Sequence, residues 1–260
     1  MTVGTQVPIC YKWCLITYGC ETRHAITQVR HYQELTVQIQ PLEQGNLSAR
    51  AYFSIREGLI AGNFKPGERL VMQDLAERLG TSVTPVREAC LRLVSERGLE
   101  LRSGRFATVP ALTRERYLEV RTIRIALEGL AAEMATHHVT DADLDRLLEL
   151  HNLFEAADRK NEAMEAMQYN REFHFTLYRL SGMDMLTAQI ESLWVSMGPI
   201  LNLFYTFGHN SYVGADEHLV LIAALRERKP AKARKAIAED ILRGGVSILR
   251  FIDEAHEQSA

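Results

Sequence analysis

The chain has 260 residues, of which 47% are hydrophobic and 24% charged, and its formal net charge is −3. This is the profile of an ordinary globular protein of about two domains. No apolar run approaches the roughly 18 residues that a membrane-spanning helix needs, and the start of the chain does not have the pattern of a signal peptide. The composition therefore excludes a membrane protein and predicts a cytoplasmic one, while the negative charge argues against indiscriminate nucleic-acid binding.

Residues 1–46 do not resemble the rest of the chain, because they lack helical periodicity and mix aromatic residues with cysteines. We expect a poorly ordered N-terminal extension and assign it no function. Cys10, Cys14, Cys20 and His24 could together bind zinc, but the spacing C-x3-C-x5-C-x3-H is not one that zinc sites commonly use.

Charge is unevenly distributed along the sequence. Between Arg50 and Pro110 there are ten basic and seven acidic residues, so this span carries +3 and the remainder −6. A basic module on an acidic body suits a protein that binds DNA but must release random sites. Ordinary scatter of charge explains the same numbers equally well.

The pattern of residues 47–110 predicts three helices and a β-hairpin. A helix from Ala51 onward is followed by a loop around Pro66, a short helix over 74–79 ended by Gly80, and a third helix with Thr84 as its cap and Pro85 in its first turn. The third helix has a buried stripe made by Val86, Cys90, Leu93 and Val94. Two strand-like runs flank the Ser103-Gly104 turn. Together these elements predict a winged helix-turn-helix, and a small α+β domain with no role in DNA binding is the alternative.

Polar residues gather at the start of the third helix, away from its buried stripe. Ser82 and Thr84 offer hydroxyls that contact phosphates or base edges, and Arg87 offers a guanidinium that can clamp guanine through O6 and N7. The unpaired N–H groups of a helix start also favour a phosphate. Arg105, at the hairpin tip, could reach the adjacent minor groove or backbone. The sequence therefore predicts that this helix end enters a groove of duplex DNA.

The stretch RLVMQDLAERLGTSVTPVREACLRLVSERGLELRSGRFATV, within residues 51–109, resembles the GntR family of bacterial transcription regulators. The resemblance implies DNA contacts by Ser82, Thr84, Arg87, Gly104 and Arg105. This chain departs from the family at Val83, where an arginine commonly follows the serine. Gln73 stands where some members place a charged contact residue, and we include it among the candidate DNA contacts.

Residues 111–255 lack strand-like alternation and are predicted to form an all-helical domain. The linker is Pro110–Thr113, and the expected helices cover 114–138, 141–158, 161–181, 183–206, 212–228 and 230–254. The predicted fold class is therefore mainly α. A winged helix-turn-helix at residues 47–110 is followed by a helical bundle that binds a ligand and dimerises.

Four side chains of this helical half could converge. Asn170 and His174 are four residues apart and share one helix face. His218 lies twelve residues before Pro230 and Asp240 lies ten after it, so antiparallel helices would bring the two to one height. Such a nitrogen and oxygen set can hold Zn²⁺, Ni²⁺ or Mn²⁺. The alternative is that both histidines are buried core residues without a metal.

The helical half is similar to the FCD-type domain of the FadR subfamily. The matching stretches are RIALEGLAAEMA from Arg124, NREFH from Asn170 and EHLVLIAALRERKPAKARKAIAED from Glu217. The resemblance implies metal ligands at the positions of Asn170, His174, His218 and Asp240, although the first is usually Asp and the last usually His.

A bound metal with an open position would recruit a carboxylate. Arg124 and Arg121 are candidate positive partners for such an organic acid. The alternative for these two arginines is a surface ion pair with Glu128 or Glu119.

The combined prediction is a homodimeric transcription repressor that binds a palindromic DNA operator and responds to a small organic acid. The second hypothesis is a metal-dependent enzyme on a helical bundle. It lacks support because residues 111–255 contain no Glu-x-x-His pair, and we find no nucleophile paired with a base and no Gly-rich phosphate loop. A third hypothesis, a structural helical partner, leaves the winged module unexplained.

Overall fold

The computed structural model describes residues 47–111, 113–207 and 215–257, so Cys10, Cys14, Cys20 and His24 lie outside it. Helices and strands follow in the order α1 (Leu47–Ile60), β1 (Arg69–Val71), α2 (Met72–Arg78), α3 (Val83–Ser95), β2 (Glu100–Ser103), β3 (Phe106–Thr108), α4 (Arg114–Ala135), α5 (Asp141–Arg159), α6 (Ala163–Arg179), α7 (Asp184–Phe207), α8 (Ala215–Arg226) and α9 (Pro230–Glu257). The predicted fold class is confirmed. None of the helices in this part of the chain is long and apolar enough to cross a membrane.

The winged module consists of α1, α2 and α3 with a three-stranded antiparallel sheet of order β1-β3-β2. The hairpin predicted around Ser103-Gly104 is present as β2 and β3. The first strand was not predicted: it has only three residues, and Leu70 pairs with Ala107 of β3. Three residues are too few to show the alternation by which a strand is recognised in a sequence.

Helix α3 begins one residue before the predicted cap. Ser82 is the N-cap, with φ −84° and ψ 167°, and its side chain makes no capping hydrogen bond within the described structure. The prediction that Thr84 caps this helix is therefore wrong, because Thr84 already lies in the first turn. Pro85 lies in that turn as predicted, where a missing N–H costs nothing.

Helices α4 to α9 form the second module, close to the predicted bounds. In this bundle α4 packs on α9, α5 on α6, and α8 on α9. Thr140 starts α5 with a reciprocal capping box to Asp143, which satisfies two N–H groups at the helix start. At the same end of the bundle, Arg228 donates hydrogen bonds to the backbone oxygens of Thr136 and Val139, joining the α8–α9 turn to the end of α4.

The winged module packs on α7 through a contact that only glycine permits. A Cβ added to Gly198 would collide with the carbonyl oxygen of Leu59 and would lie 2.6 Å from that of Ile60. Beside this contact, Nη2 of buried Arg56 lies 3.1 Å from Oε2 of Glu191. Helices α1 and α7 therefore approach backbone to backbone, and the contact joins the two modules.

We predict that Gly198→Ala lowers the free energy of unfolding by about 1–3 kcal/mol, because α1 and α7 must separate to admit the methyl group. The measurement is urea unfolding followed by circular dichroism. Gly104→Ala is the control, since its Cβ would meet no atom within 4 Å, and its change should stay within about 0.5 kcal/mol. Equal unfolding midpoints for Gly198→Ala and wild type would contradict the proposed close approach.

Candidate nucleic-acid interface and metal cluster

The start of α3 presents the predicted polar residues to solvent. Ser82, Thr84 and Arg87 are all exposed, whereas Val86 and Cys90 on the opposite face are fully buried. Val83, which replaces the arginine common in the family, is half-buried and packs against the core. The exposed helix end thus combines two hydroxyls, one guanidinium and the first backbone N–H groups of the helix.

The other predicted DNA contacts lie on the hairpin tip and on α2. Gly104 and Arg105 are exposed, and the carbonyl oxygen of Arg105 accepts a hydrogen bond from the backbone N–H of Met72 at 3.0 Å. The wing is therefore tied to the first residue of α2. Gln73 is also exposed, but its amide donates to Oε1 of Glu77 at 3.2 Å, so its donor already has a partner within α2.

In the helical module three predicted metal ligands come together. Nε2 of His174 lies 3.4 Å from Oδ2 of Asp240, and Nε2 of His218 lies 3.6 Å from Oδ1 of the same carboxylate. One ligand atom from each residue lies within 4.8 Å of the others, and all three residues are buried. The antiparallel packing of α8 and α9 about Pro230 brings His218 and Asp240 to one height, as the spacing predicts.

Both imidazoles of this cluster are held in the neutral form. Burial lowers the pKa of His174 well below its usual range, and the charges of His218 and Arg124 lower it further. Burial also lowers the pKa of His218 to about 3, with a smaller contribution from His151. A neutral imidazole is the form that binds metal ions, so the environment favours coordination at neutral pH.

Asn170 is the fourth predicted metal ligand and lies one helical turn before His174 on α6. Its side chain is buried, and among the described residues its Oδ1 has no hydrogen-bond partner. Both side chains line a cavity of about 30 Å³ that also includes Asp240, room for roughly two water-sized groups. The unsatisfied amide oxygen, the imidazole of His174 and the carboxylate of Asp240 line this cavity, and the imidazole of His218 lies behind that carboxylate at 3.6 Å. Such a set of oxygen and nitrogen donors fits a divalent cation.

Arg124 lines the same cavity, but its guanidinium is paired with a buried carboxylate. Its Nε donates to Oε1 of Glu128 at 2.6 Å and its Nη2 donates to Oε2 at 3.2 Å. Tyr178 and Trp194 donate to the same carboxylate at 2.5 and 3.2 Å. Burial acts to lower the pKa of Arg124, but the charge of Glu128 outweighs it and raises the pKa. The ion pair considered from the sequence therefore exists, but in the core rather than on the surface.

Arg121, the second candidate for binding an acid, does not line this cavity. It is half-buried, and its guanidinium carbon lies 5.7 Å from the ring centre of Tyr117. It therefore lies near the wall that Tyr117 contributes to the cavity.

Sequence reasoning missed His151 on α5. Its ring is 2% exposed and lies edge-on to His218, with 5.6 Å between ring centres, while Phe173 stacks on His218 at 3.9 Å. His151 belongs to the buried stripe of α5 with Leu147 and Phe154. The sequence signal that could have identified His151 is its position in the periodic apolar stripe of α5, where a histidine is expected to be buried.

Comparison with known proteins covers both modules. Residues 47–109 match the description "Bacterial regulatory proteins, gntR family", and residues 119–243 match the FCD domain. The HTH-type transcriptional regulator McbR of Escherichia coli K12 is 35% identical over 208 residues, which are 78% of this chain and 93% of McbR. The Nta operon transcriptional regulator of Aminobacter aminovorans is 30% identical over 138 residues, covering 52% of this chain and 63% of that protein.

Solved structures agree with these matches. The structure of E. coli McbR/YncC has a TM-score of 0.72 at 33% identity and covers 80% of this chain and 98% of that one. A GntR-type regulator from Rhodococcus sp. RHA1 has a TM-score of 0.61 at 22% identity, covering 78% and 97%, and supports the fold alone.

The named relatives are transcriptional regulators, which confirms the prediction that the chain is not an enzyme. One relative matches across most of its own length, and two family descriptions match the two modules in turn. The exposed start of α3, with its hydroxyls and Arg87, lies inside the first of these matches. The chain therefore belongs to the GntR family of bacterial DNA-binding regulators, with an FCD domain as its second module.

Proposed function

We propose that this DNA-binding regulator acts as a homodimeric repressor on a palindromic operator in the cytoplasm, where a bacterial chromosome lies. The observation that carries the proposal is the exposed start of α3, where Ser82, Thr84 and Arg87 face solvent. Two copies of such a helix, related by a two-fold axis, read half-sites about one helical turn apart. Occupation of the operator by the dimer would then block transcription.

The start of α3 enters the major groove in this proposal. Arg87 reads a guanine through O6 and N7, while Ser82 and Thr84 contact phosphates or base edges. Arg105 reaches the neighbouring minor groove or the backbone, and Gly104 allows the wing tip to approach closely because it has no side chain. Gln73 contributes to a backbone contact if it exchanges its hydrogen bond with Glu77 for one with phosphate.

A divalent cation (Zn²⁺, Ni²⁺ or Mn²⁺) is the cofactor that the cluster in the helical module fits. Asn170, His174, His218 and Asp240 would hold it, and the bound cation would supply an open coordination position for an oxygen anion. The proposed effector is a small organic acid. The cavity of about 30 Å³ has room for its carboxylate group but not for the rest of the molecule. Arg124 lines the cavity and would attract that carboxylate, although its charge is shared with Glu128. Arg121 does not line the cavity and would attract the acid from farther away.

The acid can shift the operator equilibrium only by its difference in affinity between the DNA-competent and DNA-incompetent states.

We predict that Arg87→Ala weakens operator binding by about 1–3 kcal/mol, because the guanidinium is the one long cationic side chain of the exposed α3 start. Fluorescence anisotropy against the gene's own upstream duplex, with a scrambled duplex at the same salt concentration, measures the effect. Arg159→Ala is the matched control, since that exposed arginine lies on α5, far along the chain from the winged module. Unchanged operator affinity in Arg87→Ala would remove this residue from the interface.

For the metal, we expect His174→Ala to bind Zn²⁺ more than about 100-fold more weakly than wild type. Loss of a residue that only hydrogen-bonds to a metal ligand costs roughly 10–100-fold, and loss of a ligand itself should cost more. His151→Phe is the control, because its imidazole lies beside His218 but outside the three-residue cluster. Competition with a chromophoric chelator gives the affinities, and metal content after dialysis gives the stoichiometry. If His174→Ala and wild type retained the same Zn²⁺ content, the proposed ligand set would be wrong.

A further inference from the structure

A second pocket, of about 330 Å³, lies between the winged module and the helical module. This volume falls in the range of small-molecule sites, which commonly occur between domains. Its lining residues are Ile60, Ala61, Asn63, Met164, Glu165, Met167, Gln168, Arg171, Trp194 and Leu201. We propose that this pocket binds a small hydrophobic carboxylate and thereby bridges the two modules.

The inner walls of the pocket are apolar. Ile60, Met167, Trp194 and Leu201 are all buried members of the hydrophobic core, so their pocket-facing surface is continuous with it. Met164, on the first turn of α6, is 48% exposed and lies at the mouth. Flexible methionine side chains adapt to ligands of different shape. The walls therefore favour a ligand with a large apolar part, without selecting one particular shape.

The charge of the ligand is argued from Arg171. Its Nη1 is buried and has no hydrogen-bond partner among the described residues, although Oε2 of Glu57 lies 3.6 Å away. That separation exceeds hydrogen-bond distance, and Glu57 is 59% exposed, so water weakens the attraction. A buried guanidinium N–H without an acceptor is costly, and a carboxylate can satisfy it with a charge-assisted hydrogen bond.

The other polar groups of the pocket lie at its rim. Asn63, Glu165 and Gln168 are exposed, and the amide of Gln168 donates to Oε1 of Glu172 at 2.9 Å. The charge of Glu165 is screened because its side chain is in solvent. Arg171 is therefore the lining group whose buried donor requires an acceptor.

The position of the pocket gives the binding event a consequence. Ile60 ends α1 of the winged module and Ala61 follows it, whereas Arg171 and Trp194 belong to α6 and α7 of the helical module. A ligand that contacts both sides stabilises this relative placement over any other. Trp194 also lines the metal cavity, so both sites share one wall. The proposed binding of the ligand does not depend on the existence of an operator. Only the effect of the ligand on DNA binding rests on the proposed regulator function.

The test uses octanoate as the probe, with octan-1-ol and octylammonium as matched neutral and cationic molecules. The full chain carries Trp13→Phe, so that Trp194 is its only tryptophan and reports from the pocket wall. Calorimetry and Trp194 fluorescence should show one octanoate per chain. Octan-1-ol should bind at least about 10-fold more weakly, because it lacks the charge that Arg171 requires. Equal or tighter binding of octylammonium, or no octanoate binding, overturns the proposal.

Three variants locate the octanoate. Arg171→Met should bind octanoate about 10-fold more weakly and bind octan-1-ol unchanged, while Arg179→Met, an exposed control on the same helix, should match wild type. Ala61→Phe should fill the pocket from the winged module and abolish binding of both molecules, with circular dichroism to verify folding. Octanoate binding that survives unchanged in both Arg171→Met and Ala61→Phe overturns the assignment to this pocket.

Two further results separate the pocket from the other proposals. His174→Ala should keep octanoate binding, and loss of binding there would place the carboxylate at the metal cluster and overturn the inference. Octanoate should also change operator affinity in wild type but not in Ala61→Phe. Octanoate binding without any change in operator affinity supports the pocket and contradicts its regulatory consequence. A protein that prefers no operator contradicts the proposed function and leaves the calorimetric result standing.

Discussion

The carboxylate of Glu128 is the interaction on which the helical module depends. It is fully buried and accepts hydrogen bonds from Arg124 on its own helix, from Tyr178 on α6 and from Trp194 on α7. A buried charge is tolerated only when it is paired and hydrogen-bonded, so each of these three donors is needed. The network therefore sets the positions of α6 and α7 against α4. Because α7 also carries Gly198, whose backbone meets that of α1, the same network helps to place the winged module.

Helix α6 serves two sites because consecutive residues on a helix point about 100° apart. Asn170 lines the cavity of about 30 Å³ beside His174 and Asp240, and the next residue, Arg171, lines the pocket between the modules. Trp194 of α7 separates the two spaces and lines both. A shift of this indole would alter both spaces together, including the one that Ile60 of α1 lines. The arrangement gives a physical route by which a ligand in the helical module can affect a DNA-reading helix.

Much of the fold follows from local patterns. The helices of the second module, the capping box at Thr140 and the hairpin around Gly104 all have short-range signals, and the structure has each of them. The three-residue strand at Leu70 has no such signal, because its pairing with Ala107 is made across a long stretch of chain. The cap of α3 was misplaced because Ser82 and Thr84 are both good capping residues, and propensity does not choose between them.

The sequence by itself determined the family, the exposed polar start of α3 and the shared helix face of Asn170 and His174, because these depend on motifs and on helical spacing. Only the tertiary structure decided that Arg124 pairs with buried Glu128, that His151 lies against His218 and that Ile60 and Arg171 line one pocket. The pair of Arg124 with Glu128 was open to local reasoning, but its burial was not. The other contacts join residues far apart in the chain, and no periodicity within one helix encodes which face of another helix it will meet.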